Sequence, residues 1–369
     1  MLYAKHYHTV PPPYGGVSVY VKRLMIALCK RGLKSGAFKG EKMVGLPAEL
    51  IEVMDEFPKH SRSIFILPEI FKLYRIFKPY RIIHAHTSLT TCMSIWLIHI
   101  LQKKPVVYTI HNQMIEQELS LLYPWDKAIL KSLASSPIVQ FTTVNSVAKE
   151  KLESTGIKFK NGIKVITPYI PPIEYGQPSD YISDDLLNFT KSHKKFILFY
   201  AESFATCQGN DIYGTQTIVD AFIRISKQDK STALVFCIAN IGNSQSKLDT
   251  LIELMKESGC DNCVYWQVGA IHEMWPLLKE ATLLVRPTTT DGDSVMIREA
   301  LSFGLPVITT NVTHRPEGCI VYPLGDMDSL VDKIQSVIHH PYRRVYQQED
   351  HTQKVLDIYQ KLLNSKRKH

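Results

Sequence analysis

The sequence has no apolar run of the 18–20 residues that a membrane-spanning helix requires. The nearest stretch, Met93 to Leu101, is short and interrupted by His99. It has no secretory leader pattern, so its seven scattered cysteines read as reduced cytoplasmic thiols rather than a disulfide framework. Cys260-Asp-Asn-Cys263 has no second ligand pair nearby to complete a zinc site. With 18 Gly and 20 Pro in 369 residues, the chain is neither collagen-like nor of low complexity. No G-x-G-x-x-G segment follows a strand, which disfavours NAD. Basic residues are not interleaved with aromatics in the manner of a nucleic-acid surface, so nucleic acid is not an expected partner.

What is there is an ordinary globular composition, 45% apolar and 21% charged. The charge is 43 − 35 = +8, which suits an anionic partner such as a nucleotide phosphate or an acidic membrane face. The length fits two domains. Strand-like runs at Ile82–Ile83, Val106–Ile110, Ile138–Val144, Ile163–Ile166, Phe196–Tyr200, Ala233–Ala239, Val264–Val268, Thr282–Val285 and Val307–Thr310 alternate with helix-period segments. One such segment carries Val17, Tyr20, Val21, Leu24 and Leu28 on one face and stops near Gly32. Alternation of this kind predicts parallel α/β sheets. It breaks at the proline-rich segment starting at Thr167, which predicts a linker over 167–194 between a domain at 1–166 and another at 195–340. Residues 341–369 read as a C-terminal helix. Ser63–Ile82 mixes Ile, Phe and Leu with Lys72, Arg75, Lys78 and Arg81, and reads either as a core helix with a solvated face or as an interfacial helix.

Three places carry chemistry. Gly15-Gly16 lies between the first strand and a long helix, whose free N–H groups suit phosphate. His111 and Asn112 end a buried strand, where a His can meet a substrate hydroxyl. His84-Ala-His86 has a similar form and could serve the core instead. The richest segment runs strand, acidic loop, helix, Gly turn, strand: Arg286, then Asp291-Gly-Asp293-Ser294-Val295, Arg298-Glu299-Ala300, and Gly304-Leu-Pro306-Val. Asp293 or Ser294 can cap the helix, and Glu299 is an acid within an otherwise apolar helix.

In these residues the chain resembles the family 4 glycosyltransferases, retaining nucleotide-sugar enzymes of the GT-B fold. Asp291-x7-Glu299, followed by Ala300 and Gly304-Leu-Pro306-Val, is similar to the family's Glu-x7-Glu pattern, and Gly15-Gly16 and His111 fall in the matching order. The resemblance implies two Rossmann-like α/β domains facing a central cleft, with the last helix returning to the first domain. It implies that Gly15 and Gly16 line the donor diphosphate, that His111 and Asp291 face the transferred sugar, and that Glu299 holds the ribose. Donor contacts are also expected at Asp293, Ser294, Val295 and Arg298. The family's Arg and Lys after the first strand of the second domain are absent, because Phe199 to Thr215 contains neither. Arg286, Arg298 and Arg315 are the candidate replacements. Asp291-Gly-Asp293 also resembles the metal–diphosphate motif of the other large glycosyltransferase fold; in this helix context the metal-free reading is preferred, with no cofactor. The expected activity is transfer of a hexosyl group from a nucleoside diphosphate sugar to a glycan or lipid-linked acceptor at the inner membrane face, in cell-envelope polysaccharide synthesis. A degenerate GT-B scaffold and a GT-B nucleotide-sugar epimerase are the alternatives.

Overall fold

Every apolar run predicted as a strand pairs in parallel with a neighbour, in one of two separate six-stranded sheets. The computed structural model describes residues 2–10, 16–39, 48–56, 67–111, 115–172 and 177–366. The chain divides into one unit of residues 1–170 and 350–369 and another of 171–349.

The first unit contains β1 (Leu2–Thr9), β2 (Gly36–Phe38), β3 (Tyr80–His86), β4 (Val106–Ile110), β5 (Val139–Thr143) and β6 (Ile163–Val165), in the order β2-β1-β3-β4-β5-β6. The helix Gly16–Cys29 buries Tyr20, Val21, Leu24 and Leu28, and the chain turns out of it at Gly32, whose φ is +73°. The helix Leu67–Phe77 buries Ile70, Leu73 and Phe77 and exposes Phe71, Lys72, Arg75 and the following Lys78. Ile82 belongs to β3, so the predicted amphipathic stretch is a shorter helix followed by a strand; residues 63–66 lie outside the described residues.

The second unit contains β7 (Phe196–Ser203), a hairpin of β8 (Thr206–Cys207) and β9 (Asn210–Asp211), then β10 (Ala233–Asn240), β11 (Val264–Val268), β12 (Leu283–Arg286), β13 (Val307–Thr310) and β14 (Cys319–Tyr322). Its sheet order is β11-β10-β7-β12-β13-β14. β7 sends Ile197, Phe199 and Ala201 to one apolar cluster and Phe196 and Leu198 to another. Both faces are therefore buried, as parallel strands covered by helices require.

Two predicted boundaries differ. Residues 177–194 are not a free linker: Ser183 caps a helix at Asp184–Ser192 by accepting from the Leu186 N–H, and Ile182 and Leu186 pack into the second unit. Nor does the last helix start at 341. Residues 341–349 form a strap on the second unit, where the Arg344 and Tyr346 N–H groups donate to the carbonyls of Gly304 and Leu301. The Arg343 guanidinium donates to four carbonyls, those of Leu278, Lys279, Ala281 and Phe303.

The final helix, Thr352–Lys366, belongs to the first unit and packs against β3, β4 and β5. It buries Val355, Leu356, Ile358, Tyr359 and Leu362. The Tyr359 hydroxyl lies 2.6 Å from His84 Nδ1, and its ring meets Tyr3 edge-on at 5.8 Å. Tyr359→Phe leaves a buried imidazole nitrogen without its partner. We expect it to cost the first unit about 1–3 kcal/mol, read as a lower midpoint in chemical denaturation.

Candidate functional site

The second sheet has the strand order 3-2-1-4-5-6, which reverses between β7 and β12. Open α/β sheets bind ligands outside the carboxyl ends of the strands at such a point. β12 ends there in Arg286. Its guanidinium grips Asp291 with two hydrogen bonds, Nε to Oδ2 at 2.9 Å and Nη2 to Oδ1 at 3.2 Å. Arg315 donates from Nη1 to the same Oδ2 at 2.8 Å, from Nε to the Thr310 carbonyl, and from Nη2 to the Thr288 and Thr310 hydroxyls. All three side chains are nearly buried, at 11%, 8% and 3% exposure for Arg286, Asp291 and Arg315. Burial alone would raise the Asp291 pKa, but the two guanidinium groups outweigh it and hold the carboxyl below its ordinary range. The cluster carries 2 − 1 = +1. Arg286 Nη1 has no hydrogen-bond partner among the described residues, so the cluster keeps a free donor edge.

The loops after β7 and β12 are tied together. Asp211 accepts from the N–H groups of Tyr213 and Thr215 and from the Thr215 hydroxyl. Thr289 donates to the carbonyl of Ile212 through its N–H and to that of Asp211 through its hydroxyl. Gly214 has φ +70°, and a Cβ there would lie 2.2 Å from the Pro287 carbonyl oxygen. Only glycine permits this approach. It sets the N-terminus of the helix Thr215–Ser226 beside the strand that ends in Arg286. The Tyr213 ring centre is 5.7 Å from the Arg286 guanidinium.

The helix Val295–Ser302 is capped by Ser294, which accepts from the Ile297 N–H. Arg298, expected to contact the donor, closes its fork on Asp293 at 2.6 and 2.7 Å and donates to Gln348 at 2.9 Å. Asp293 is thereby occupied too, and Asp291 faces arginines rather than open space. Neither carboxylate of Asp291-Gly-Asp293 is free to take a divalent cation, so the donor set does not fit the metal motif. Glu299 is buried in the same helix at 3% exposure.

The first sheet reverses its order between β1 and β3. An open cavity of about 420 Å³ lies there, lined by Tyr7, His8, Val17, His86, Ser88 and His111 among others. Gly16 opens the helix beside it, and a Cβ on Gly16 would meet nothing within 4 Å. Gly15 and Asn112 lie outside the described residues. His111 Nε2 is 3.1 Å from His86 Nδ1, and His86 Nε2 is 3.0 Å from His6 Nδ1. His84 binds Tyr359 through Nδ1 and the Thr109 hydroxyl through Nε2. Burial pushes the pKa values of His6 and His111 down to about 3 and those of His84 and His86 well below the ordinary value. His6 went unnoticed in the sequence. The available signal was a pair of strands each carrying His-x-His, which the β1–β3 register sets side by side at His6 and His84.

Residues 14–171 match Glycosyltransferase Family 4, and residues 204–340 match Glycosyl transferases group 1. Comparison with curated proteins returns no match. Among solved structures, the chain is similar to Alr3699/HepE of Anabaena, determined with UDP and glucose. The TM-score is 0.67 at 14% identity, covering 100% of this chain and 95% of that one. A glycosyltransferase from Rickettsia africae matches with TM-score 0.66 at 16% identity, covering 100% and 93%. WaaG, a glycosyltransferase involved in lipopolysaccharide biosynthesis, matches with TM-score 0.62 at 14% identity, covering 100% and 94%. These likenesses establish the GT-B fold.

The buried imidazoles make the first unit acid-sensitive. Unfolded His takes a proton below about pH 6.5, whereas folded His6 does not until about pH 3. In that window the unfolded state binds more protons, so stability falls as pH falls and is flat above it. Each fully buried ring contributes up to about 1.4 kcal/mol per pH unit. We expect the unfolding midpoint of the first unit to drop between pH 7 and pH 5; a level profile would show that the rings charge in the folded state.

Proposed function

The chain belongs to the family 4 glycosyltransferases of the GT-B fold, and on that premise we propose that it transfers a sugar from a nucleoside diphosphate sugar to an acceptor hydroxyl with retention of configuration. The observation that carries the reading is the Arg286–Asp291–Arg315 cluster at the switch point of the second sheet. It offers a fixed guanidinium edge and one net positive charge where a departing diphosphate needs them. The N–H groups at the start of the helix Thr215–Ser226 add the donors that a helix N-terminus provides. Together they take the place of the Arg and Lys that Phe199–Thr215 lacks, and no metal is needed to meet the leaving group's charge. Asp291 acts here by orienting Arg286 and Arg315, rather than by accepting from sugar hydroxyls as the motif alone implies. Glu299 is assigned to the ribose, with Ser294 and Val295 at the donor-side helix start. Asp293 and Arg298 brace that loop as an ion pair.

His111, at the cavity of the first unit, is assigned to the transferred sugar, a hexose. Gly16, and Gly15 before it, are assigned to the diphosphate. The relatives that bind UDP and glucose or act in lipopolysaccharide biosynthesis support a uridine donor and a cell-envelope glycan acceptor. Among the described residues no helix is long and apolar enough to cross a membrane. A lipid-linked acceptor would instead be met at an anionic surface by the helix Leu67–Phe77, through Lys72, Arg75 and Phe71, the last 71% exposed.

A thermal-shift panel with UDP, GDP, ADP and CMP, each with and without EDTA, tests the donor site. A nucleotide at a hundred times its Kd adds about 2.7 kcal/mol, a shift of several degrees. We expect UDP to act equally in EDTA. We expect Arg286→Lys, which keeps the charge but loses the fork, to raise the UDP Kd about tenfold or more. No shift with any nucleotide would favour a GT-B scaffold without catalysis; a shift that needs Mg²⁺ would restore the Asp-Gly-Asp metal site. For the membrane reading, the protein should float with anionic liposomes and stay behind with neutral ones. Lys72→Glu with Arg75→Glu should abolish flotation.

A further inference from the structure

Three neutral imidazoles from three neighbouring strands form one hydrogen-bonded line: His6 on β1, His86 on β3 and His111 just after β4. We infer that His6 and His86 are positioning residues that hold His111 as a single tautomer, with its Nδ1 turned to the cavity as a hydrogen-bond donor. The inference deepens the reading of His111 as the group facing the sugar, and rests on it for its functional meaning.

The geometry supplies the constraints. A neutral imidazole donates from one nitrogen and accepts at the other. His86 is bonded through both of its nitrogens, so it must donate to one neighbour and accept from the other. Among the described residues no carboxylate hydrogen-bonds any of the three rings. The rings near the line are His8, His84, Tyr20 and Tyr359; among the described residues Lys5 is a cation that discourages positive charge on His6, and Asp350 acts on Tyr20. The line therefore has two polarities. In one, His6 Nδ1–H donates to His86, and His86 Nδ1–H donates to His111 Nε2. His111 then carries its proton on Nδ1, and His6 Nε2 is a bare lone pair. In the other polarity every proton moves to the opposite nitrogen, and His6 Nε2 becomes a bare N–H.

His6 Nε2 is fully buried and has no hydrogen-bond partner among the described residues. Orphaned buried N–H groups are rarer than under-satisfied acceptors. That selects the first polarity. The ring planes are held as well: Tyr20 packs on His86 at 5.7 Å and on His111 at 5.6 Å, and His84 lies against His86 at 3.9 Å between centres. His111 Nδ1 has no hydrogen-bond partner among the described residues, and its ring lines the cavity. A donor there recognises an oxygen acceptor such as a sugar hydroxyl. It cannot also remove a proton from an acceptor substrate unless the ring takes a charge or the whole line reverses.

A metal is the competing explanation, since His6, His84 and His86 each bring a nitrogen to within 4.8 Å of the others. But both nitrogens of His84 are already bonded, and its ring lies over His86 at 3.9 Å between centres and 34° between planes, whereas a ligated metal lies in the plane of its imidazole.

Long-range ¹H–¹⁵N correlation spectra of the ¹⁵N-labelled full chain at pH 7.5 read each ring's tautomer directly, with assignments from His6→Asn, His86→Gln and His111→Asn. All three wild-type rings should carry the proton on Nδ1 and none should titrate between pH 5.5 and 8. The amide of His86→Gln can still donate to His111 Nε2, so that variant should keep His111 as the Nδ1–H form, whereas His86→Leu should give a mixture. A wild-type His111 protonated on Nε2, a doubly protonated ring, or the same His111 signal in the Gln and Leu variants would overturn the proposal. So would one zinc per chain in the isolated protein by metal analysis. If His86→Leu does not fold, the wild-type spectrum still decides. None of these readings requires turnover, so they stand or fall separately from the nucleotide panel.

Discussion

A parallel strand cannot be followed directly by its neighbour; the chain must cross back over the face of the sheet before the next strand begins. That constraint makes every strand of a sheet end at the same edge, and it governs each unit of this protein. Residues far apart in sequence reach one place because they share a position at strand ends. His86 and His111 are brought together in this way in the first unit, with His6 joining them from three residues before the end of β1, as are Arg286 and the loop after β7 in the second. Where the crossovers change direction, helices leave room above the edge, and both candidate sites occupy such a point.

The two sites resolve the cost of burying polar groups differently. In the second unit, charges are buried as an arginine–carboxylate–arginine group in which the two guanidinium groups outweigh the effect of burial on Asp291 and keep it ionised. Such a group is rigid and charged before any ligand arrives, which suits stabilisation of a developing negative charge without reorganisation. In the first unit the polar groups are imidazoles that burial keeps neutral, bonded to each other and to Tyr359 and Thr109. Their function is direction rather than charge.

The periodicity of apolar residues made the fold class legible, since strand and helix patterns are local. The edge strands β2 and β14, of three and four residues, are too short to show a period. The segment 177–194 reads as polar linker because only Ile182 and Leu186 are fully buried, with Tyr181, Leu187 and Phe189 partly buried against the same cluster. In the acidic loop, Asp291 and its neighbouring arginines were visible as residue types. Their pairing was not: Arg315 stands 24 residues from Asp291 and reaches it only because β13 returns beside β12. Arg298 looked equally suited to phosphate, and its closure on Asp293 depends on the helix turn that places the two side by side. The line from His6 to His86 crosses 80 residues and depends on strand pairing, which no window of sequence displays.

The return of the chain to the first unit has a consequence for biosynthesis. The second unit is one continuous stretch, 171–349, and is complete once the ribosome has passed it. The first unit begins earlier but lacks Tyr359, and with it the cover over His84 and Tyr3, until the helix Thr352–Lys366 has emerged. Domains usually finish folding in the order of their synthesis. Here that order is inverted: the nascent first unit must wait, with part of its sheet uncovered, while the second is made and folded.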